Sequence, residues 1–210
     1  MSMSVAISTD SITVKSHYDR SRSSAGLSPG IDYPILRTQR FQFRPFVLAD
    51  VAPLVAIADK HRIADSAVGV PHPGTVEFAR MCVSSHPTPW TSPRALQWAA
   101  IDLGDRQLKG YAGLDKIDVD HKQAELRFWA ACGLACNGYA TEWSAAMLEF
   151  AMKQLGMSRV YALQLARHRL AGRVLASVGM QQEGHLRKRI YKEGMLEDVI
   201  CWAIVRERLH

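Results

Sequence analysis

The run Cys136-Asn137-Gly138-Tyr139-Ala140-Thr141-Glu142 lies between a strand-like stretch, Ala124 to Ala130, and an amphipathic stretch, Thr141 to Leu155. No other feature limits the fold as tightly. Gly138 has no Cβ, so backbone can pack closely around it, and Thr141 with Glu142 gives the first helical turn a polar, acidic start. Trp143, Met147, Phe150 and Ala151 recur at helical spacing and mark a buried stripe that Gly156 closes. A further strand, Val160 to Leu165, follows. Strand, helix and strand in this order form a natural crossover unit, while periodicity leaves open which central strands are parallel. The free amides at the start of its helix suit an anion, because unpaired N–H groups and the positive end of the macrodipole meet there. A single glycine before a helix equally serves as a plain structural turn.

The flanking sequence supplies the rest of a mixed sheet. Residues 1–34 are serine-rich with little periodicity and read as a flexible arm, in which Ser11 to Lys15 is a short β-like patch. From Leu36 to Arg44 the chain alternates around Phe41 and Phe43 as one strand, which Pro45 ends. Asp50 is placed to cap a helix carrying Val51, Leu54, Val55 and Ala58, and a second short helix starts at Thr75. Leu96 to Asp102 and Lys109 to Lys116 read as strands joined by a polar turn at Gly104-Asp105. After Leu165 come a short helix, Leu170 to Val178, and a hairpin of Gln181–Tyr191 with Asp198–Val205 around Gly194. The order β-α-α-β-β-β-α-β-α-β-β predicts an α/β (α+β) fold with helices on the sheet faces.

With 210 residues, 48% of them hydrophobic, the chain can bury a sizeable core as one domain. It lacks the continuous apolar run of a membrane span and the apolar region of a secretory signal, so a cytoplasmic protein is expected. The four cysteines, Cys82, Cys132, Cys136 and Cys201, have no CxxC spacing and no histidine cluster beside them, which favours free thiols and no metal. A net charge of +6 favours anionic partners: a phosphorylated cofactor, an acidic protein or nucleic acid. Arg167, Arg169 and Arg173 form one basic cluster and Arg187, Lys188 and Arg189 another, and either also reads as solvated surface.

From Leu36 to Arg206 the residues resemble the GNAT superfamily of acyl-CoA-dependent N-acyltransferases, in particular the RimJ/RimL type that acetylates ribosomal-protein N-termini. The resemblance rests on pieces in family order: Leu36-Arg37-Thr38-Gln39-Arg40 through Arg44-Pro45-Phe46, Val70-Pro71-His72-Pro73, Gly110-Tyr111-Ala112-Gly113-Leu114, Ala124-Glu125-Leu126-Arg127-Phe128-Trp129 and Asn137-Gly138-Tyr139-Ala140-Thr141-Glu142. Arg173-Val174-Leu175, Gly179-Met180, Glu183-Gly184-His185-Leu186-Arg187 and Tyr191-Lys192-Glu193-Gly194 through Asp198 complete the set. It implies a mixed, mostly antiparallel central sheet with a splayed parallel strand pair, formed by residues 35–210 behind the 1–34 arm.

The resemblance also implies a site. Acetyl-CoA would be held by the turn Cys136, Asn137, Gly138, Tyr139, Ala140 and Thr141 on its pyrophosphate, by backbone at Trp129, Ala130 and Ala131 on its pantetheine, and by His168 and Arg173. Ala135 stands where the family usually has Arg or Gln, and Ala171 where this branch commonly has Ser. Glu125 is the candidate general base, with surface pairing to Arg127 as its alternative, and His72 and His185 are secondary candidates for the amine pocket. The implied reaction is acetyl transfer to an α-amine of a protein, peptide or small molecule, by a monomer or homodimer without metal or membrane. Two other readings stay open: a degenerate GNAT fold that binds acyl-CoA or a protein without turnover, and an RNA-associated module. Stacking aromatics do not alternate with the basic residues, so nucleic acid is expected only through a ribosomal substrate.

Overall fold

A computed structural model describes residues 13–15, 33–59, 63, 67–70, 73–84, 94–130 and 138–206. Strands β1 (Thr13–Lys15), β2 (Ile35–Arg37) and β3 (Phe41–Arg44) lead into a 3-10 turn, Leu48–Asp50, and helices α1 (Val51–Ala58) and α2 (Val76–Ser84). Then follow β4 (Leu96–Asp102), β5 (Leu108–Asp118), β6 (Gln123–Ala130), α3 (Tyr139–Glu149) with a closing π turn (Phe150–Gln154), β7 (Arg159–Leu165), α4 (Arg169–Ser177), β8 (Gln181–Lys192) and β9 (Met195–Val205). One nine-stranded sheet runs β1-β2-β3-β4-β5-β6-β7-β9-β8, and every pairing is antiparallel except β6 with β7. The β-like patch in the serine-rich segment thus adds an edge strand.

Strand alternation sorts the core onto two faces. Leu96, Trp98 and Ala100 of β4, with Ala124, Leu126 and Ala130 of β6, meet α3 and α4, while Ala99, Ile101, Tyr111 and Trp129 meet α1 and α2. Edge-to-face rings lock the first face: Trp143 lies 5.2 Å from Phe41, and Trp98 lies 5.5 Å from Phe150. Helices therefore cover both faces, as expected.

Several local expectations differ from the fold. Leu36 to Arg44 is a hairpin of β2 and β3, because the Phe41 N–H donates to Thr38 Oγ1 at 3.1 Å and the Thr38 N–H to the Phe41 carbonyl at 2.9 Å, closing a turn inside the alternating run. Asp50 does stand at the N-cap position of α1, but its side chain caps none of that helix's amides. Its buried carboxylate instead takes both terminal nitrogens of Arg44, at 2.7 and 2.8 Å, and the Val47 N–H at 2.8 Å. Thr75 does start α2, accepting the Phe78 N–H at 3.1 Å. The crossover helix begins at Tyr139, two residues before Thr141, with Gly138 at its N-cap in the left-handed conformation, φ +73°.

Candidate active site

β6 and β7 pair through Gln123 with Arg159, Ala124 with Val160 and Glu125 with Tyr161. Beyond that fork β6 stays in register with β5 up to Ala130, and β7 stays in register with β9 up to Leu165. Each strand follows its outer neighbour, so the sheet twist separates them and leaves two facing backbone edges that a third extended chain can join. The cleft between them is lined by Glu125, Arg127, Trp129, Leu163, Gln164 and Ala171, with Ala67 and Val68 from the α1–α2 connection above it.

Glu125 stands at the fork. It is buried, and its carboxylate meets Lys116 Nζ at 2.7 Å, not Arg127, so the surface pairing considered from sequence does not form. Lys116 is delivered by a bulge in β5, where its φ is +47°, and the hydrogen bond to Glu125 pushes its ammonium pKa up. Tyr161 lies opposite Glu125 in the register. Burial, above all, raises its phenol pKa, so it is a neutral hydroxyl at physiological pH.

Arg127 instead binds Asp115 at 2.8 Å and the Val68 carbonyl at 2.7 Å. Asp115 also accepts from Gln97 at 3.2 Å and from Tyr111 at 3.3 Å, so this buried carboxylate is saturated by one cation and two neutral donors. Sequence reasoning passed over Asp115 and Lys116. An aspartate inside the apolar strand Tyr111-Ala112-Gly113-Leu114 is the signal that marks the first. Nothing local marks the second, because a bulge must turn Lys116 toward β6.

The other expected residues divide into three groups. Gly138, Tyr139, Ala140 and Thr141 stand at the start of α3. Tyr139 and Ala140 turn their side chains inward, Tyr139 against Phe41 at 4.7 Å, which leaves their amides as the groups available to an anion. Arg40 flanks this start: its Nε donates to Glu142 at 2.6 Å, its guanidinium lies 5.0 Å from the Tyr139 ring centre, and its Nη2 lies 3.7 Å from where a Cβ on Gly138 would sit. Trp129 and Ala130 form the β6 edge of the cleft. His168 occupies the N-cap position of α4, and its carbonyl accepts from Gln164 Nε2 at 2.8 Å. Trp202 Nε1 in turn donates to Gln164 Oε1 at 2.7 Å, which ties the β7–α4 turn to β9.

Arg173 and His185 are not brought to the cleft. Arg173 is exposed on the flank of α4 facing Gln182 and Trp202, on the far side of the helix from Ala171 and Leu175. His185 is on the outermost strand, two positions from β7, and pairs with Asp198 at 2.9 Å. Lys188 of the neighbouring basic run donates its backbone N–H to the same aspartate at 2.8 Å. His72, Ala131, Cys136 and Asn137 lie outside the described residues, as do Ala135 and Cys132. Among the described residues no group of three or more His, Cys, Asp or Glu is placed to hold a metal, and no helix is long and apolar enough to cross a membrane.

The model of the acetyltransferase (GNAT) domain matches residues 40–181. The chain belongs to this family. As a GNAT acetyltransferase it is an enzyme of acetyl transfer to amines, a family that uses acetyl-CoA. It is 24% identical over 176 residues to the uncharacterised N-acetyltransferase YoaA of Bacillus subtilis (strain 168), covering 84% of this chain and 99% of YoaA. In fold it is similar to RimL, a ribosomal L7/L12 alpha-N-protein acetyltransferase solved with coenzyme A, with a TM-score of 0.70 at 16% identity over 80% of this chain and 96% of RimL. It is also similar to spermidine N-acetyltransferase from Vibrio cholerae solved with CoA and spermine, with a TM-score of 0.67 at 17% identity over 79% and 95% of the two chains. The GNAT fold accounts for the one parallel pair in an otherwise antiparallel sheet.

Proposed function

We propose that this GNAT enzyme transfers the acetyl group of acetyl-CoA to an α-amine, of a protein, a peptide or a small molecule, by direct attack in a ternary complex. The observation that carries this reading is the fork between β6 and β7, with Glu125 at its base and two open backbone edges above. Such a fork suits an extended pantetheine arm, which pairs with the β6 edge at Trp129 and Ala130, while the amides that begin α3 at Gly138, Tyr139, Ala140 and Thr141 receive the pyrophosphate. His168 borders the same region, and Arg173 serves, on this reading, only through the outer flank of α4. Residues 35–210 constitute the catalytic domain and 1–34 an N-terminal arm.

In the reaction the amine nitrogen forms a bond to the thioester carbonyl carbon, and the carbon–sulfur bond breaks after a tetrahedral intermediate. A backbone N–H of Trp129 or Ala130 stabilises the oxyanion. Glu125, through water, takes the proton that the nitrogen loses, and the departing thiolate is protonated by solvent. Ala171 brings no proton donor to the cleft. An α-amine with a pKa of about 8 costs about 1.4 kcal/mol to deprotonate at pH 7, whereas a lysine of about 10.4 costs about 4.6 kcal/mol, which favours the α-amine in a site without a strong acid–base pair. RimL, which acts on a protein α-amine, supports the same choice and the RimJ/RimL-type reading. Cys201, which forms no disulfide among the described residues, supports a cytoplasmic location.

Incubation with acetyl-CoA and a panel of peptides and small amines, read by free-thiol release, tests the reading: turnover is expected. A second reading, a fold that binds acyl-CoA without turnover, is favoured by the methyl group of Ala171 in the cleft. Thermal stabilisation by CoA without thiol release with any amine would select it.

A further inference from the structure

A second cavity, of about 210 Å³, lies beneath α2, between that helix and the sheet. Its floor is an aromatic stack in which Tyr111 and Trp129 lie 6.0 Å apart at 8°, extended by Phe46 at 6.4 Å from Tyr111. Val70, Phe78 and Met81 form its walls. Arg127 and Trp129 border both this cavity and the cleft at the fork. A group seated in the cavity and an amine lying beside Glu125 therefore belong to one molecule of modest size.

We propose that this cavity receives an uncharged apolar side chain next to the acceptor amine, so that the preferred acceptors are α-amines of leucine-like or phenylalanine-like residues and not polyamines. The inference rests on the acetyltransferase reading above and adds the acceptor class. Charge accounting carries it. Asp115, the carboxylate held by the lining residues Arg127, Gln97 and Tyr111, is already matched by that guanidinium and further satisfied by the other two. The carboxylate at the fork, Glu125, is matched by Lys116. A polyamine lying across both would bring several ammonium groups to described residues that offer them no uncommitted carboxylate and one fixed guanidinium, and desolvated charge without a partner is strongly disfavoured. The ring faces could attract a cation, but the Arg127 charge beside them opposes a second one. An apolar side chain forfeits no hydrogen bond or ion pair on entering, and it replaces water against Trp129, Phe78 and Met81.

Met81 allows a clean test because it is 59% exposed at the rim, so Met81→Trp can fill the cavity without entering the core. Initial rates of thiol release are compared for peptides that begin with Leu, Phe, Ser or Asp and for spermidine. We expect kcat/KM for the Leu and Phe peptides to exceed that for the Ser and Asp peptides and for spermidine by about 10-fold or more. Met81→Trp should remove most of that advantage while leaving KM for acetyl-CoA unchanged. Spermidine or the Asp peptide turning over as well as the Leu peptide would overturn the proposal, as would an unchanged preference in Met81→Trp. If no amine is acetylated, the acetyltransferase reading fails on its own, and calorimetric titration of the CoA-loaded protein with leucinamide and with spermidine still decides the cavity's occupant. Tighter leucinamide binding that Met81→Trp abolishes supports the proposal, and equal or tighter spermidine binding overturns it.

Discussion

The ammonium of Lys116 lies 2.7 Å from the carboxylate of Glu125, although one side chain is largely exposed and the other is buried. The contact exists because the chain between Asp115 and Asp118 bulges, with Lys116 at φ +47°, and turns that side chain toward β6. A carboxylate at the fork is thereby paired before any substrate arrives.

This pairing sets the first prediction. Glu125→Gln should lower kcat/KM by about 10²-fold or more, in line with the loss of a general base, with the largest loss at and below neutral pH. Lys116→Met removes the cation paired with that carboxylate and should lower kcat/KM by a smaller factor than Glu125→Gln. Steady-state rates across the pH range check both. Full activity of Glu125→Gln near and below neutrality removes Glu125 from the mechanism.

The second prediction concerns the β6 edge. A Cβ on Gly110 would stand 2.1 Å from the Trp129 carbonyl oxygen, a contact only backbone displacement can relieve, and its φ of +154° adds strain. Gly110→Ala should cost about 3 kcal/mol of stability and disturb the strand segment that borders the cleft. Urea denaturation measures the first effect. A stability change within about 0.5 kcal/mol of the parent would refute the close approach.

At the start of α3 the expectation is a smaller and more specific change. Gly138→Ala, at φ +73°, should cost about 1 kcal/mol and raise KM for acetyl-CoA more than it lowers kcat. Gly138→Asn tolerates that backbone better and should lose less stability. Equal KM values for parent and Gly138→Ala would separate this turn from cofactor binding.

Burial pushes the Cys82 thiol from its usual 9.0 up to about 11. The folded state therefore holds the proton more tightly than the unfolded chain does. Its stabilising contribution is complete below 9.0 and is lost as pH rises toward about 11. Melting temperatures should fall less steeply above about pH 9 in Cys82→Ala than in the parent, and iodoacetamide at about pH 8 should label Cys82 far more slowly than a free thiol. Rapid labelling of the Cys82 peptide in the native protein, mapped by mass spectrometry, would show that the thiol is not sequestered.

The sequence carried much of this protein in residues whose meaning is local. Gly138 before the stripe of Trp143, Met147 and Phe150 announced a crossover helix, Thr75 announced α2, and Gly194 announced the final hairpin, because caps, turns and periodicity act over a few residues. It also placed Glu125, Trp129 and Ala130 on one strand, where the fork later brings them to a cleft. Tertiary structure decided what depends on partners distant in sequence. Asp50, a plausible cap by position, is a buried ligand of Arg44. Arg127 turns to Asp115, and Lys116 to Glu125. Arg173 and His185 point away from the cleft because helix rotation and strand order, not spacing, set which face they occupy. The parallel pair opens only because β5 and β9 each hold one of its strands, and no periodicity within β6 or β7 encodes a separation imposed from outside both.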